Sequence, residues 1–349
     1  MLVRHSFALI FSFLLGIYLI PIIIKAAKKI GFMDAPDGRL KHQQEPIAYL
    51  GGLAIFISFI STLGLCYPFE NQMLWFLLGT TLLLCIGLID DLKVLKPGQK
   101  FFGQIIAVLC FLKGGFSLKT PFFSSFSNIL LSGFWMLSVI NAFNLVDVMD
   151  GLCATLALIA ALTFGIIAFL AGKYATSVLL TAFVGAVAAF LVYNKPQAKI
   201  YLGDAGSLFI GGFLAAIPML FYWDKSLFAD SLSVAGHVGF VDYFIMPMLE
   251  NFFIPAIILA VPLLEGLGLF VIRSYLGMPF YNGSPHHFSI YLQRRGWSRW
   301  QVLGFAAAMS LLFSLLALLF LYHVMPFWLL LMMAASLVAL WIYLIFCVT

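Results

Sequence analysis

The chain has 349 residues, 63% of them hydrophobic and 9% charged, with a formal net charge of +5 and a mean hydropathy of +1.08. That composition excludes a soluble globular domain. A pI near 8.9 reports where basic residues sit relative to a membrane rather than an anionic partner, and no nucleic-acid partner is expected.

A bilayer core about 30 Å thick needs roughly 20 apolar residues per helix. Apolar runs of that order recur from end to end, continuous rather than alternating, which selects helices over a barrel. Residues 6–24 form an apolar stretch too long for a signal-peptide core and are read as the first span. Polar, Pro and Gly breaks then place further spans at 50–67, 73–89, 101–116, 128–146, 152–171, 175–193, 205–222, 251–272, 301–321 and 327–346. The expected architecture is therefore an all-α polytopic bundle of about 11 transmembrane helices, a single domain over 1–349. Fourteen of the 19 Lys and Arg residues fall on one side of this map, leaving Arg4, Lys113, Lys119, Lys173 and Lys225 on the other. The positive-inside rule then puts the N-terminus outside and the C-terminus in the cytoplasm, in a multi-pass protein of the inner membrane. The cysteines Cys66, Cys85, Cys110, Cys153 and Cys347 lack metal-ligand spacing and read as small apolar residues.

The acids are distributed unevenly. Asp90, Asp91, Asp147, Asp150 and Asp204 all lie at the cytoplasmic ends of spans. Each carboxylate at span depth costs about 2.5–3.5 kcal/mol on insertion scales, so a cluster of them calls for a cation. Three local patterns carry them. GLIDDLKVL, residues 87–95, pairs Asp90 with Asp91 at the exit of a span. NAFNLVDVMDG, residues 141–151, sets Asn141, Asn144, Asp147 and Asp150 three residues apart. That row winds around a helix, so its members face one point only if the helix ends or unwinds near Val148. YLGDAGSLFIGG, residues 201–212, places Asp204 at a glycine-flanked helix start, whose free amides suit phosphate oxygens. Hard oxygen donors without cysteine point to Mg²⁺, with Mn²⁺ as the alternative. Two basic loops face the same side, residues 25–52 with Arg39, Lys41 and His42, and residues 273–300 with His286 and His287. Lys25, Lys28, Lys29 and Arg299 are accounted for by the positive-inside rule alone.

GLIDDLKVL, NAFNLVDVMDGL, YLGDAGSLFIGG, EPIAYLGGLAIF, PLLEGLGLFVIR and GSPHHFSIYLQRRGWS together resemble the polyprenyl-phosphate N-acetylhexosamine-1-phosphate transferases. The resemblance runs from about residue 34 to 298 and implies Mg²⁺-dependent transfer of a sugar-1-phosphate from a UDP-N-acetylhexosamine to undecaprenyl phosphate in the bilayer, with release of UMP. Carried over position by position, Asp90 and Asp91 fall on the family's paired acids, Asn144, Asp147 and Asp150 on its Asn-Asp-Asp motif, Asp204 on its metal-binding aspartate and His287 on the first histidine of its His motif, while Glu265 stands where an Asp is usual. The expected roles follow. Asp204 binds metal with Asp91, Asp90 positions or deprotonates the lipid phosphate, Asp147, Asp150 and Asn144 orient nucleotide or metal, Lys100 and Arg39 contact phosphate, and His286 and His287 bind a diphosphate or act in proton transfer. Direct displacement and a phospho-Asp intermediate both fit, and a homodimer is compatible with either.

The chain also departs from that pattern. Val94 replaces a third charge, Val148 a glycine, and Ser289 and Ile290 two histidines; His42 lies one residue farther from Pro46 than usual, and Ala48 replaces a proline. These differences favour an N-acetylglucosamine-1-phosphate transferase over a phospho-N-acetylmuramoyl-pentapeptide transferase. An ion-coupled transporter would place its acids near the midplane, not at one face. A CDP-alcohol phosphotransferase would carry Arg where this chain has Thr155.

Overall fold

A computed structural model describes residues 1–34, 46–118, 123–220, 252–279, 281, 283–322 and 324–347. In chain order the helices are α1 (Leu2–Ile30), α2 (Gly51–Cys66), α3 (Asn71–Leu92), α4 (Pro97–Lys113), α5 (Ser125–Val146), α6 (Leu152–Leu170), α7 (Tyr174–Asn194) and α8 (Gly203–Ala216). They continue with α9 (Ile254–Ile258), α10 (Ala260–Tyr275), α11 (Phe288–Arg294), α12 (Arg299–Leu321) and α13 (Phe327–Ile342). Strands β1 (Met33–Asp34) and β2 (Ile47–Ala48) pair antiparallel, with Met33 opposite Ala48.

A helix lies at each expected span. Among the described residues, eight segments are long and apolar enough to cross a membrane, whereas α2 has 16 residues, α4 has 17 and α10 has 16. This is a multi-pass, mostly helical membrane protein. Hydroxyls within its apolar helices turn back on their own backbone, as Ser58, Thr62, Thr81 and Thr163 do by donating to the carbonyl four residues earlier. No polar group is then left facing lipid at those positions. Helix starts are specified locally. Ser124 caps α5 by accepting from the Ser127 amide at 3.2 Å. Ser298 and Gln301 form a reciprocal capping box at the start of α12.

Helix α8 is the axle of the bundle. In the segment Gly203–Leu220, 89% of the residues are buried, and α2, α3 and α5 pack around it. Glycines set those approaches. A β-carbon on Gly52 of α2 would stand 2.2 Å from the Gly206 backbone of α8, so only glycine lets these two helices cross there. The same end is tied by backbone bonds: Gly51 and Gly52 donate to the carbonyls of Tyr201 and Leu202 at 2.9 and 3.0 Å, and Tyr201 donates to Ala48 at 2.8 Å. The N-termini of α2, α4 and α8 and the C-termini of α3 and α5 are thereby gathered at one end of the bundle.

Candidate active site

Four side chains from four helices meet at that end. Lys100, in the first turn of α4, points its ammonium at Asp90 of α3, with Nζ 2.9 Å from Oδ2. The same nitrogen lies 3.0 Å from Oδ1 of Asp204 at the start of α8 and 3.2 Å from Oδ1 of Asn144 at the end of α5. Asn144 donates its amide to Asp204 Oδ1 and to Ser207 Oγ, the latter at 2.9 Å. Asp90, 8% exposed, also accepts from the Leu95 amide at 2.7 Å, which fixes the turn leaving α3. One turn along, Gln104 of α4 and Asn141 of α5 exchange amide hydrogen bonds at 2.9 and 3.2 Å. Both asparagines in NAFNLVDVMDG therefore hold α5 against α4, Asn141 on Gln104 and Asn144 on Lys100.

Asp91 faces α8. Its two oxygens accept from the Asp204 and Ala205 amides at 2.8 and 3.0 Å. The expectation that the N-terminal amides of α8 stand free for phosphate is thereby corrected, since Asp91 occupies two of them. A negative charge at a helix N-terminus is favourable in itself, so Asp91 orients the helix that carries Asp204. Gly203 makes room for it: its φ is +74°, and a β-carbon there would lie 2.6 Å from Asp91 Oδ2.

Helix α5 ends at Val146, and residues 147–151 run irregularly to Gly151, where φ is +74°. The break expected near Val148 is present, and it splits the two aspartates. Asp147 stays on the carboxylate side, where burial, followed by the charges of Asp204, Asp91 and Asp150, raises its carboxyl well above the usual range. Asp150 turns away. Its Oδ2 accepts from Arg299 Nη1 at 2.8 Å, from Gln197 N at 3.2 Å and from Ala198 N at 3.4 Å. Arg299, assigned from sequence to the positive-inside bias alone, is thus the partner that joins α12 to this connection. Asn194 completes the anchor by accepting from the Gly151 amide at 2.9 Å and donating to the Ile200 carbonyl at 2.8 Å. Gln104, Ser207, Asn194 and Arg299 were not singled out as site residues, because their partners lie far away in sequence.

His287 Nδ1 pairs with Glu265 Oε1 at 2.9 Å, and both side chains are buried. The Glu265 carboxylate also receives the Phe288 amide at 3.4 Å, which fixes the start of α11 on α10. Helix α11 reaches the Asp147–Gly151 connection through Gln293, whose amide lies 3.5 Å from Met149 Sδ. His286 Nδ1 and Ser289 Oγ are buried atoms without a hydrogen-bond partner among the described residues. Arg39, like Lys41 and His42, lies outside the described residues. A cavity lined by Arg4, Phe7, Cys66 and Tyr67 lies by the start of α1 and the end of α2, away from the carboxylates.

The donor chemistry suits a hard divalent cation. Among the described residues no three His, Cys, Asp or Glu side chains already surround one metal-sized point. Mg²⁺ does not require three, because it keeps waters and takes one or two carboxylates with substrate phosphates. The Lys100 ammonium bridges Asp90 and Asp204, and those two with Asp91 and Asp147 are the residues that could hold a metal.

Residues 73–222 match the profile of glycosyl transferase family 4. The chain is 32% identical over 341 residues to the phospho-N-acetylmuramoyl-pentapeptide-transferase of Geobacillus thermodenitrificans, an alignment covering 88% of this chain and 95% of that one. The chain belongs to glycosyl transferase family 4. It is 31% identical over 240 residues to a probable undecaprenyl-phosphate N-acetylglucosaminyl 1-phosphate transferase of Bacillus subtilis, covering 65% of this chain and 66% of that one. The Staphylococcus carnosus phospho-N-acetylmuramoyl-pentapeptide-transferase is 29% identical over 339 residues, covering 88% and 97%. The family region contains the whole Asp90, Lys100, Asn144 and Asp204 constellation. Like these relatives, the protein is a transferase of the sugar-1-phosphate type.

Proposed function

We propose that this protein transfers N-acetylglucosamine-1-phosphate from UDP-N-acetylglucosamine to undecaprenyl phosphate, releasing UMP, as the first membrane step of a cell-surface glycan made at the inner membrane. The observation that carries the reading is the convergence of Asp90, Lys100, Asn144 and Asp204 at one end of an apolar bundle. A nucleotide diphosphate can reach such a site from water, and a lipid phosphate from the bilayer.

An oxygen of the lipid phosphate attacks the β-phosphorus of the nucleotide sugar. The bond from that phosphorus to the oxygen bridging the α-phosphate breaks, and UMP leaves with the electron pair. Little covalent work falls to the protein, so catalysis is positioning and charge compensation. Asp90, held by Leu95 and Lys100, orients the acceptor phosphate and takes any proton it still carries. Asn144 fixes the Asp204 carboxylate. Asp91, through the α8 amides, fixes the helix beneath it. Bound Mg²⁺, or Mn²⁺, supplies charge neutralisation of the diphosphate, with Asp204 and a neighbour among Asp91 and Asp147 holding it. The His287–Glu265 pair presents a fixed imidazole on α11 for the nucleotide phosphates.

Transfer of phospho-N-acetylmuramoyl-pentapeptide is the second reading, and the near full-length alignments with enzymes of that name favour it. Val148 in place of a glycine, and Ser289 and Ile290 in place of two histidines, favour the first. The test supplies detergent-purified protein with undecaprenyl phosphate, Mg²⁺ and each UDP-sugar separately. UMP and a lipid diphosphate sugar from UDP-N-acetylglucosamine support the proposal. Turnover of UDP-N-acetylmuramoyl-pentapeptide alone selects the second reading, and no UMP from any UDP-sugar refutes both.

A further inference from the structure

Lys100 uses its ammonium in full. Its three donors match three oxygen atoms, Asp90 Oδ2 at 2.9 Å, Asp204 Oδ1 at 3.0 Å and Asn144 Oδ1 at 3.2 Å. Two carboxylates from separate helices are thus held together by one positive charge, in a place where their mutual repulsion would otherwise be weakly screened. The ammonium is held there against its own helix. Lys100 lies in the first turn of α4, which begins at Pro97, and a cation near a helix N-terminus is disfavoured by the aligned peptide dipoles. What retains it is the carboxylate pair, with Asn144 Oδ1 as the third acceptor.

The backbone around Lys100 is fixed independently of that pair. Gln99 Oε1 accepts from the Lys96 amide at 3.1 Å, and the Gln104–Asn141 pair locks α4 to α5 one turn farther on. The side chain itself keeps 18% exposure, so its four-carbon arm can change partners while α4 stays in place. Asp204 Oδ1 already accepts from both Lys100 and the Asn144 amide, which fills its two lone pairs, so a divalent cation taking that oxygen must displace a donor, and like charge selects the ammonium.

We propose that Lys100 is a place-holder cation: it bridges Asp90 and Asp204 while no divalent cation is bound, and transfers its ammonium to a substrate phosphate oxygen when the cation takes Asp204. The exchange keeps the charge of the site nearly balanced in both states. It also couples the two ligands, because the phosphate that captures the ammonium vacates the oxygen that the metal needs. This inference rests on the reading that a divalent cation binds at Asp204 during phosphate transfer.

The test titrates Mn²⁺ by electron paramagnetic resonance into detergent-purified wild type, Lys100→Met and Lys100→Gln, with and without UDP. Monodispersity and thermal unfolding check that each variant is folded. Without UDP, both variants bind Mn²⁺ about tenfold more tightly than wild type, within the usual range of coupling between competing ligands. Adding UDP raises Mn²⁺ affinity more in wild type than in either variant, since only wild type has an ammonium to move. A charge that merely repelled the metal from nearby would leave the UDP effect equal in all three proteins. Equal UDP effects, or variants that bind Mn²⁺ no more tightly than wild type, overturn the place-holder role. If wild type turns over UDP-sugar and binds Mn²⁺ with an affinity indifferent to residue 100, only this inference fails. If wild type neither binds Mn²⁺ nor releases UMP, the functional reading fails with it.

Discussion

Gly87 of α3 lies so close to Ala205 of α8 that a β-carbon at position 87 would stand 2.3 Å from the Ala205 nitrogen. The obstacle is backbone, which cannot step aside as a side-chain tip can. Asp90 and Asp91 follow Gly87 within one turn, so this crossing sets how near they come to Asp204. Gly87→Ala pushes the two helices apart, with an overpacking cost of about 1–3 kcal/mol. Because displacing reacting groups by about 1 Å can cost about 100-fold in rate, turnover is expected to fall far more than stability. Measuring UMP release alongside the unfolding temperature separates the two effects. A variant with both quantities unchanged would show that the crossing does not set the site.

Asp147 gives a pH dependence with a defined sign. Burial and three neighbouring carboxylates raise its carboxyl well above the usual range, so the folded, cation-free protein holds a proton that the unfolded chain releases. Such a group contributes stability that is complete below the unfolded value, near pH 4, and is lost as pH rises toward the folded value. Thermal unfolding in the presence of a chelator is therefore expected at lower temperature as pH increases from about 4 upward. Asp147→Asn, which is neutral throughout, flattens that part of the profile. Identical slopes for the two proteins would remove Asp147 as the source.

Asp150 and Arg299 separate scaffold from chemistry. Arg299 is 46% exposed, so solvent screens its pairing with Asp150, and Arg299→Ala is expected to cost only about 1 kcal/mol. Asp150→Ala goes further, because it strips the Gln197 amide and the buried Ala198 amide of their acceptor, the latter at about 1–3 kcal/mol on top of the lost Arg299 pairing. The ordering of the two unfolding temperatures, with Asp150→Ala the lower, checks the assignment. The reverse order would show that the carboxylate serves something other than this anchor.

These residues also show where sequence reading succeeds and where it stops. The helix break after Val146 was legible because four polar side chains at three-residue spacing cannot face one point on a continuous helix. The gathering of Asp90, Asn144 and Asp204 at one end followed from their shared position at span ends. The division of labour inside NAFNLVDVMDG was hidden, since Asp150 is claimed by an arginine 149 residues later. The hold of Asp91 on two α8 amides was hidden as well, because those amides lie 113 and 114 residues away in the chain. Gln104 carried no local signal either, because its meaning comes from Asn141 on another helix. Local composition sets which segments cross the membrane; which polar groups meet is decided by helix packing between distant parts of the chain.

Asp204 is the residue on which the account turns, because Lys100, Asn144 and the α8 amides held by Asp91 all converge on it or its helix. Asp204→Asn keeps shape and hydrogen-bonding capacity but removes the charge. The most direct measurement is UMP release by this variant from UDP-N-acetylglucosamine and undecaprenyl phosphate, on protein shown to be folded in the membrane. A fall of at least about 100-fold is predicted, as expected when a group that compensates phosphate charge is lost. Near-normal UMP release from the folded variant would contradict the site.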